Sequence, residues 1–146
     1  MKVHIQKLAP DAITPSMAYP GDAGWDLHVL EHTWIDVNSG VDVRTGVAVA
    51  IPPGYFGRIV GRSSALRKKN LLVVEGIIDA GFRGELFSYV FCPATEWTLM
   101  RGGVQLEPGD SVAQLIVQPV PEIEWLESDD LPPSKRGTNG FGSSGR

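Results

Sequence analysis

The sequence predicts an all-β domain, a barrel or sandwich such as a jelly roll, and three observations carry that prediction. Glycine (17) and proline (11) are frequent and spread along the chain. Between them lie short segments rich in valine, isoleucine, leucine and aromatic residues. Several alternate with period two, as in "GRIVG" and "TGVAVAI", which is the spacing of a strand with one buried face. Many short strands with regular punctuation close into barrels or sandwiches.

The elements follow in order. "GDAGWDLHV" (21–29) surrounds Asp26 with glycines at the start of a strand. "TWIDV" (33–37), "TGVAVAIP" (45–52), "YFGRIVG" (55–61), "GELFSYVF" (84–91) and "SVAQLIVQPV" (111–120) read as strands. "PPG" (52–54), "GG" (102–103) and "EPGD" (107–110) separate them as turns. One short helix is expected, "ALRKK" behind Ser63 or Ser64 as its cap, with cations at the end the helix dipole favours. In "GIIDAGFRGE" (76–85) two apolar strands flank a tight turn. "LESDDLPPSKR" (126–136) reads as a polar linker stiffened by Pro132 and Pro133, leading to the glycine-rich end "RGTNGFGSSGR". The expected division is therefore a core over 1–126 and a linker with a flexible C-terminal arm over 127–146.

A length of 146 residues fits one domain. The net charge of −4 offers no general field for nucleic acid, so any anion site must be local. Positive charge does gather, with Arg58, Arg62, Arg67, Lys68 and Lys69 inside one twelve-residue stretch. The single cysteine, Cys92, excludes an internal disulfide and a cysteine zinc site. The first ten residues, "MKVHIQKLAP", carry no apolar run of a secretory signal, and no segment is apolar for long enough to span a membrane as a helix. The expectation is a cytoplasmic protein, or one of the host-cell cytoplasm if viral or phage.

Three stretches can carry chemistry. In "GRSSALRKK" (61–69), Arg62 offers a bidentate fork, Ser63 and Ser64 offer hydroxyls, and the first helical amides point at one place. That is a phosphate cradle or, equally, a solvated basic turn. In "GIIDAGFRGE", Asp79 follows an apolar pair at the mouth of a turn. A carboxylate held there can be a general base for water, or a turn aspartate bonding its own backbone. Phe82 in the same turn either caps the core or presents a face to a flat ligand. Asp26 either orients water on a divalent metal or pairs with an arginine. His4, His28 and His32 lack metal-site spacing and read as solvated or structural. Neither a Walker loop nor a dinucleotide fingerprint is present.

Taken in order, "AGWDL" (23–27), "GRSSA" (61–65), "GIIDAGFRGE" (76–85), "PGDSVAQLIV" (108–117) and "RGTNGFGSSG" (136–145) resemble the five motifs of the trimeric dUTPases. These enzymes hydrolyse dUTP to dUMP and pyrophosphate. The resemblance runs from about residue 9 to the last residue. It implies a jelly roll of the β-clip type and a homotrimer with shared active sites, each closed by the arm of another subunit. It implies that Asp79 activates the attacking water, where position matters more than pKa because an ordinary aspartate is already ionised at neutral pH. It implies that Arg62, Ser63, Ser64, Gln114, Arg136, Ser143 and Ser144 hold phosphates. Gly76, Ile78, Asp79 and Phe82 would hold the nucleoside, with Phe141 stacked over uracil. Mg²⁺ would ride on the triphosphate, with Asp26 touching its waters. The role implied is removal of dUTP and supply of dUMP for dTTP synthesis.

The chain departs from the family pattern in three places. Phe82 stands where tyrosine is usual, which keeps the ring that excludes a 2′-hydroxyl. Asn139 stands where glycine is usual, the least strained replacement if that backbone has positive φ. "NLLVVEGIID" (70–79) is about two residues short and lacks an asparagine that reads uracil, so backbone groups of 76–82 would take over. Two other readings remain open. A dCTP deaminase, a related enzyme of the same fold, would need a catalytic glutamate, for which Glu85 is nearest. A protein-binding module on the same scaffold could use Trp34 and Trp97 as contacts to a regulatory partner.

Overall fold

A computed structural model describes residues 1–139 of the chain. The strands are β1 (His4–Lys7), β2 (Trp25–His28), β3 (Thr33–Asp36), β4 (Ser39–Arg44), β5 (Val47–Ala50), β6 (Tyr55–Gly61), β7 (Leu72–Val73), β8 (Gly76–Ile78), β9 (Phe87–Cys92), β10 (Gly103–Leu106) and β11 (Ser111–Pro119). Two short helices interrupt them, α1 (Ser63–Lys69) and α2 (Glu96–Arg101). Every strand pairing is antiparallel. The sheets run β2-β11-β6-β8, β4-β9-β7, β1-β5 and β10-β3, and together they make a jelly roll.

Alternation sets the buried face. In β6, Gly57 and Ile59 are buried while the neighbours on the other face, Phe56, Arg58 and Val60, are only part-buried. Gly57 has a packing reason: a Cβ there would lie 2.7 Å from Ile51 Cδ1 and 2.9 Å from Leu115 Cδ1. Two buried clusters form the core. One gathers Ile35, Val43, Val90, Cys92, Val104, Leu106 and Val112; the other gathers Leu27, Val47, Val49, Ile59, Leu86, Ala113 and Leu115. β11 serves both, because its register slips between Ser111 and Ala113. The bulge turns two successive residues inward, Val112 to one cluster and Ala113 to the other. Burial and the nearby Asp36 push the Cys92 thiol up.

The five predicted strands are present, with two trimmed. The 45–52 segment starts its strand only at Val47, because Gly46 turns the chain at φ +69. The 84–91 segment starts its strand only at Phe87, because Glu85 and Leu86 bond across to Gly46 and Val47 instead. The predicted helix is present, but neither serine caps it. Arg62 is the N-cap residue, with extended backbone and no side-chain cap bond, and both serines lie in the first turn. The strands flanking the 79–84 turn do not pair with each other. β8 joins β6, and β9 joins β4 and β7, so this segment crosses between sheets.

The sequence reading also missed α2. Its signal was local: Thr95 and Thr98 form a reciprocal capping box, and Gly102 ends the helix at φ 75. β1 gave no signal, since none of its four residues is buried.

Candidate active site

The first half of the site is a cleft of about 270 Å³ lined by Asp22, Gly24, Asp26, Arg62, Ser63 and Gln114, among others. Asp26 on β2 and Gln114 on β11 are direct cross-strand partners. Arg62 leaves the end of β6 and is fixed on three sides. Its N–H donates to Val112 O at 2.9 Å, its Nη1 to Ser111 O at 3.3 Å, and its Nε lies 3.1 Å from Asp26 Oδ1. The arginine-pairing alternative for Asp26 is thus the one observed, and it leaves Oδ2 without a protein partner among the described residues. Since α1 begins at Ser63, the amides of Ser63 and Ser64 have no intrahelical acceptor. Ser63 lines the cleft; Ser64, half-buried beside it, does not.

Gly24 was not singled out in the sequence, yet it shapes this cleft. A Cβ on Gly24 would collide with Gln114 Oε1 and lie 2.8 Å from its Cδ. The missing side chain is what lets the carboxamide occupy its position. The signal was available, as glycine inside a strand pattern marks a close approach.

The second half is the segment after β8. Asp79 is exposed, and its carbonyl accepts from Phe82 N–H at 3.0 Å. Its carboxylate makes no hydrogen bond among the described residues, so it is not the self-bonded turn aspartate of the alternative reading. The Phe82 ring is 43% exposed and lies over Gly84, where a Cβ would come within 3.0 Å of Cε2. It caps the turn rather than the core. β8 is the edge strand of its sheet, so one row of its backbone donors and acceptors is unpaired. Ile78 packs against the core and pairs with Gly57, so the open row falls at Ile77, while the nearest atom to a Cβ on Gly76 would be 3.8 Å away.

The two halves lie apart. Ile78 pairs with Gly57, which sets Asp79 beyond one end of the β6 ladder, whereas Arg62 follows Gly61 at the other. Five residues of strand separate them, roughly 17 Å. Arg136 is exposed and its Nε donates to Asn139 O at 2.9 Å within its own turn. The positive φ in that turn falls on Gly137, at 54°, and not on Asn139. Phe141, Ser143 and Ser144 lie outside the described residues.

The remaining candidates have local duties. Glu85 has both carboxylate oxygens engaged: Oε1 accepts from Gly46 N–H at 2.8 Å, and Oε2 accepts from Arg44 Nη2 at 3.1 Å. His28 Nδ1 faces Gly109 O at 3.2 Å, and His32 Nδ1 lies 2.6 Å from Glu107. Trp34 Nε1 donates to Asp36 at 2.8 Å, and Arg101 stacks on Trp97 at 4.2 Å. No group of three or more potential metal ligands exists among the described residues, and none of their helices is long and apolar enough to cross a membrane.

The class defined by fold and site is a jelly roll with an arginine–carboxylate–glutamine cleft at one end of β6 and, near its other end, an aspartate unpaired among the described residues. The comparisons name the family. The dUTPase family model matches residues 11–145. The deoxyuridine 5'-triphosphate nucleotidohydrolase of Thermobifida fusca is 40% identical over 149 residues, covering 99% of this chain and 79% of that protein. That of Tropheryma whipplei (strain Twist) is 38% identical over 144 residues, covering 97% and 95%. Among solved structures, a variant of the Staphylococcus bacteriophage 80alpha dUTPase with dUpNHpp superposes with a TM-score of 0.92 at 27% identity, covering 99% of both chains. A variant of the dUTPase from phage phi11 of S. aureus, described with a structural Mg(II) ion, gives 0.82 at 25% identity, covering 89% and 98%. The chain belongs to the dUTPase family, and so to the dUTP diphosphatases, hydrolases of nucleotide metabolism.

Proposed function

We propose that the protein hydrolyses dUTP to dUMP and pyrophosphate, removing dUTP and supplying dUMP for dTTP synthesis. The observation that carries this reading is the convergence of Asp26, Arg62, Ser63 and Gln114, drawn from three separate stretches of sequence, on one cleft in a chain of this family. Arg62, fixed by Asp26 and by backbone carbonyls, presents its remaining N–H groups to phosphate oxygens without reorganising. Ser63, with its free amide and hydroxyl, donates to the bridging oxygen on which charge develops. Ser64 and Gln114 complete the cradle.

Asp79 accepts the proton of a water molecule whose oxygen bonds to the α-phosphorus. The bond from the α-phosphorus to the α–β bridging oxygen breaks, and its electron pair leaves with pyrophosphate. Uracil is read by backbone groups of 76–82, where the open edge of β8 presents the N–H and C=O of Ile77, Gly76 and Ile78 being paired with Ile59 and Gly57. Phe82 packs against the deoxyribose. On the family resemblance, Arg136, Ser143 and Ser144 hold the γ-phosphate and Phe141 covers the base. The described residues fit a Mg²⁺ that the triphosphate would bring with it, since they offer Asp26 Oδ2, without a protein partner among them, rather than a cage. Asp26 would hold the ion through its waters, and the ion would supply neutralisation of triphosphate charge.

Because Asp79 and Arg62 of one chain stand at opposite ends of β6, a working site needs Asp79 from one subunit and the Arg62 cleft from another. That supports sites shared between subunits, as in the homotrimer the family resemblance implies. The deaminase reading loses its base, as Glu85 is committed to Arg44 and Gly46.

The test is a substrate panel of dUTP, UTP, dTTP and dCTP with Mg²⁺, run on the wild type and on Asp79→Asn. The expected result is conversion of dUTP alone to dUMP and pyrophosphate, with turnover in the variant lower by orders of magnitude and dUTP binding retained. Near-normal turnover of Asp79→Asn would assign the base elsewhere. Consumption of dCTP would restore deamination.

A further inference from the structure

The segment that carries Asp79 and Phe82 is tied at both ends by the same device. Before β8, Glu75 accepts from Arg58 Nε and Nη2, each at 2.8 Å. Arg58 also donates through Nη1 to Gln118 Oε1 at 3.3 Å, so the pair is braced against β11. After the turn, Glu85 accepts from Arg44 Nε at 3.2 Å and Nη2 at 3.1 Å, and takes the Gly46 N–H at 2.8 Å. Both are two-point forks, which fix direction as well as distance.

Between the forks, β8 pairs with β6, and beyond it the 79–84 turn holds only itself. Phe82 N–H donates to Asp79 O, and Arg83 Nη1 donates to Ala80 O at 2.6 Å and Phe82 O at 2.7 Å. Among the described residues, no hydrogen bond joins 79–84 to the rest of the molecule. β8 itself is three residues long and paired on one edge only. A short edge strand sets height in the sheet but is a weak control on tilt. The forks add that control, and they do so from two bodies. Arg58 belongs to the four-stranded sheet and Arg44 to the end of β4 in the three-stranded sheet.

We infer that Glu75 with Arg58 and Glu85 with Arg44 are positioning residues for the reaction: two glutamate–arginine forks set where the self-bonded 79–84 turn presents the Asp79 carboxylate. This rests on the reading of Asp79 as the base. Glu85, 13% exposed and bound to a backbone amide as well, is the stiffer anchor, and Glu75, 48% exposed, the softer.

The test compares Glu75→Gln, Glu85→Gln and Arg58→Lys with the wild type and with Asp79→Asn. Steady-state kinetics on dUTP are measured with thermal unfolding and with amide hydrogen exchange over 79–84. A small misplacement of a reacting group lowers rate far more than binding, so Glu85→Gln is expected to lower kcat about 10- to 100-fold with KM changed less than about threefold. Glu75→Gln and Arg58→Lys are expected to fall by smaller but matching factors, since lysine keeps the charge and loses the fork. Exchange at the Phe82 amide should quicken in all three. If Glu85→Gln does not fold, the variants of exposed Glu75 and half-buried Arg58 carry the test. Wild-type kcat in these variants, beside an inactive Asp79→Asn, would overturn the inference. If Asp79→Asn itself keeps full turnover, the base assignment fails separately. The forks are then judged on exchange, and unchanged protection over 79–84 overturns them.

Discussion

Gly24 and Gln114 show how one missing carbon shapes a site. Gly24 precedes β2, and Gln114 reaches across from β11 into the space a Cβ would fill. The clash is with the end of a flexible side chain, so Gly24→Ala should fold, with the carboxamide displaced from the cleft. We expect kcat/KM for dUTP to fall about tenfold in Gly24→Ala and by a similar factor in Gln114→Ala. The double variant should lose little more, because residues acting as one unit are not additive. Kinetics of the three proteins decide it, and additive losses would separate the two residues. Phe82 and Gly84 repeat the relation on the other half of the site.

At the scale of elements, α1 is tied at both ends. Its N-cap residue, Arg62, makes no capping bond to the helix itself and is fixed instead by β2 and β11. At the other end, Asn70 closes the helix in the left-handed conformation, at φ 54. Lys69 reaches Asp110 in the β10–β11 turn at 2.8 Å. Burial alone would raise the Asp110 carboxyl, but the Lys69 ammonium and the Glu107 N–H outweigh it and hold it below the usual range. A depressed folded pKa gives stability that is present above the unfolded value, about 4, and is lost as pH falls through the folded value. Asp110→Asn should therefore unfold at lower temperature than the wild type at pH 7. The gap should close as the pH is lowered below about 4, toward the folded value. Thermal melts over that range check the sign, and a gap independent of pH would mean that the ion pair is not its source.

For the whole molecule, the distance along β6 between Asp79 and Arg62 predicts complementation. Asp79→Asn and Arg62→Ala should each be nearly inactive alone. Unfolded together and refolded at equal concentration, they should regain activity, since some sites take an intact Asp79 from one chain and an intact Arg62 from another. Random assortment in a cyclic trimer makes about a quarter of the sites whole. Light scattering establishes the subunit number, and the dUTPase assay measures the recovery. A mixture no more active than its parts would place both residues of a site in one chain.

Much of the fold was determined locally and could be read from the chain. Period-two alternation in 55–61 and 111–119 and the turns at Gly54 and Gly109, both at positive φ, depend on neighbours in sequence. The five stretches that carry the family resemblance were legible for the same reason, as were Asp26, Arg62, Asp79 and Gln114 as candidates. Which sheet each strand joined was not. The two apolar runs around Asp79 look like a hairpin, and only tertiary pairing sends them to different sheets, because β6 and β4 offer separate edges. The pairing of Asp26 with an arginine was also tertiary, since Arg62 lies 36 positions away in sequence and 3.1 Å away in space. So were the forks of Glu75 and Glu85, whose arginines come from other strands. Local propensity acts over a few residues and determines elements and turns. Side-chain partners drawn from distant strands depend on register and packing, which exist only once the sheets have closed.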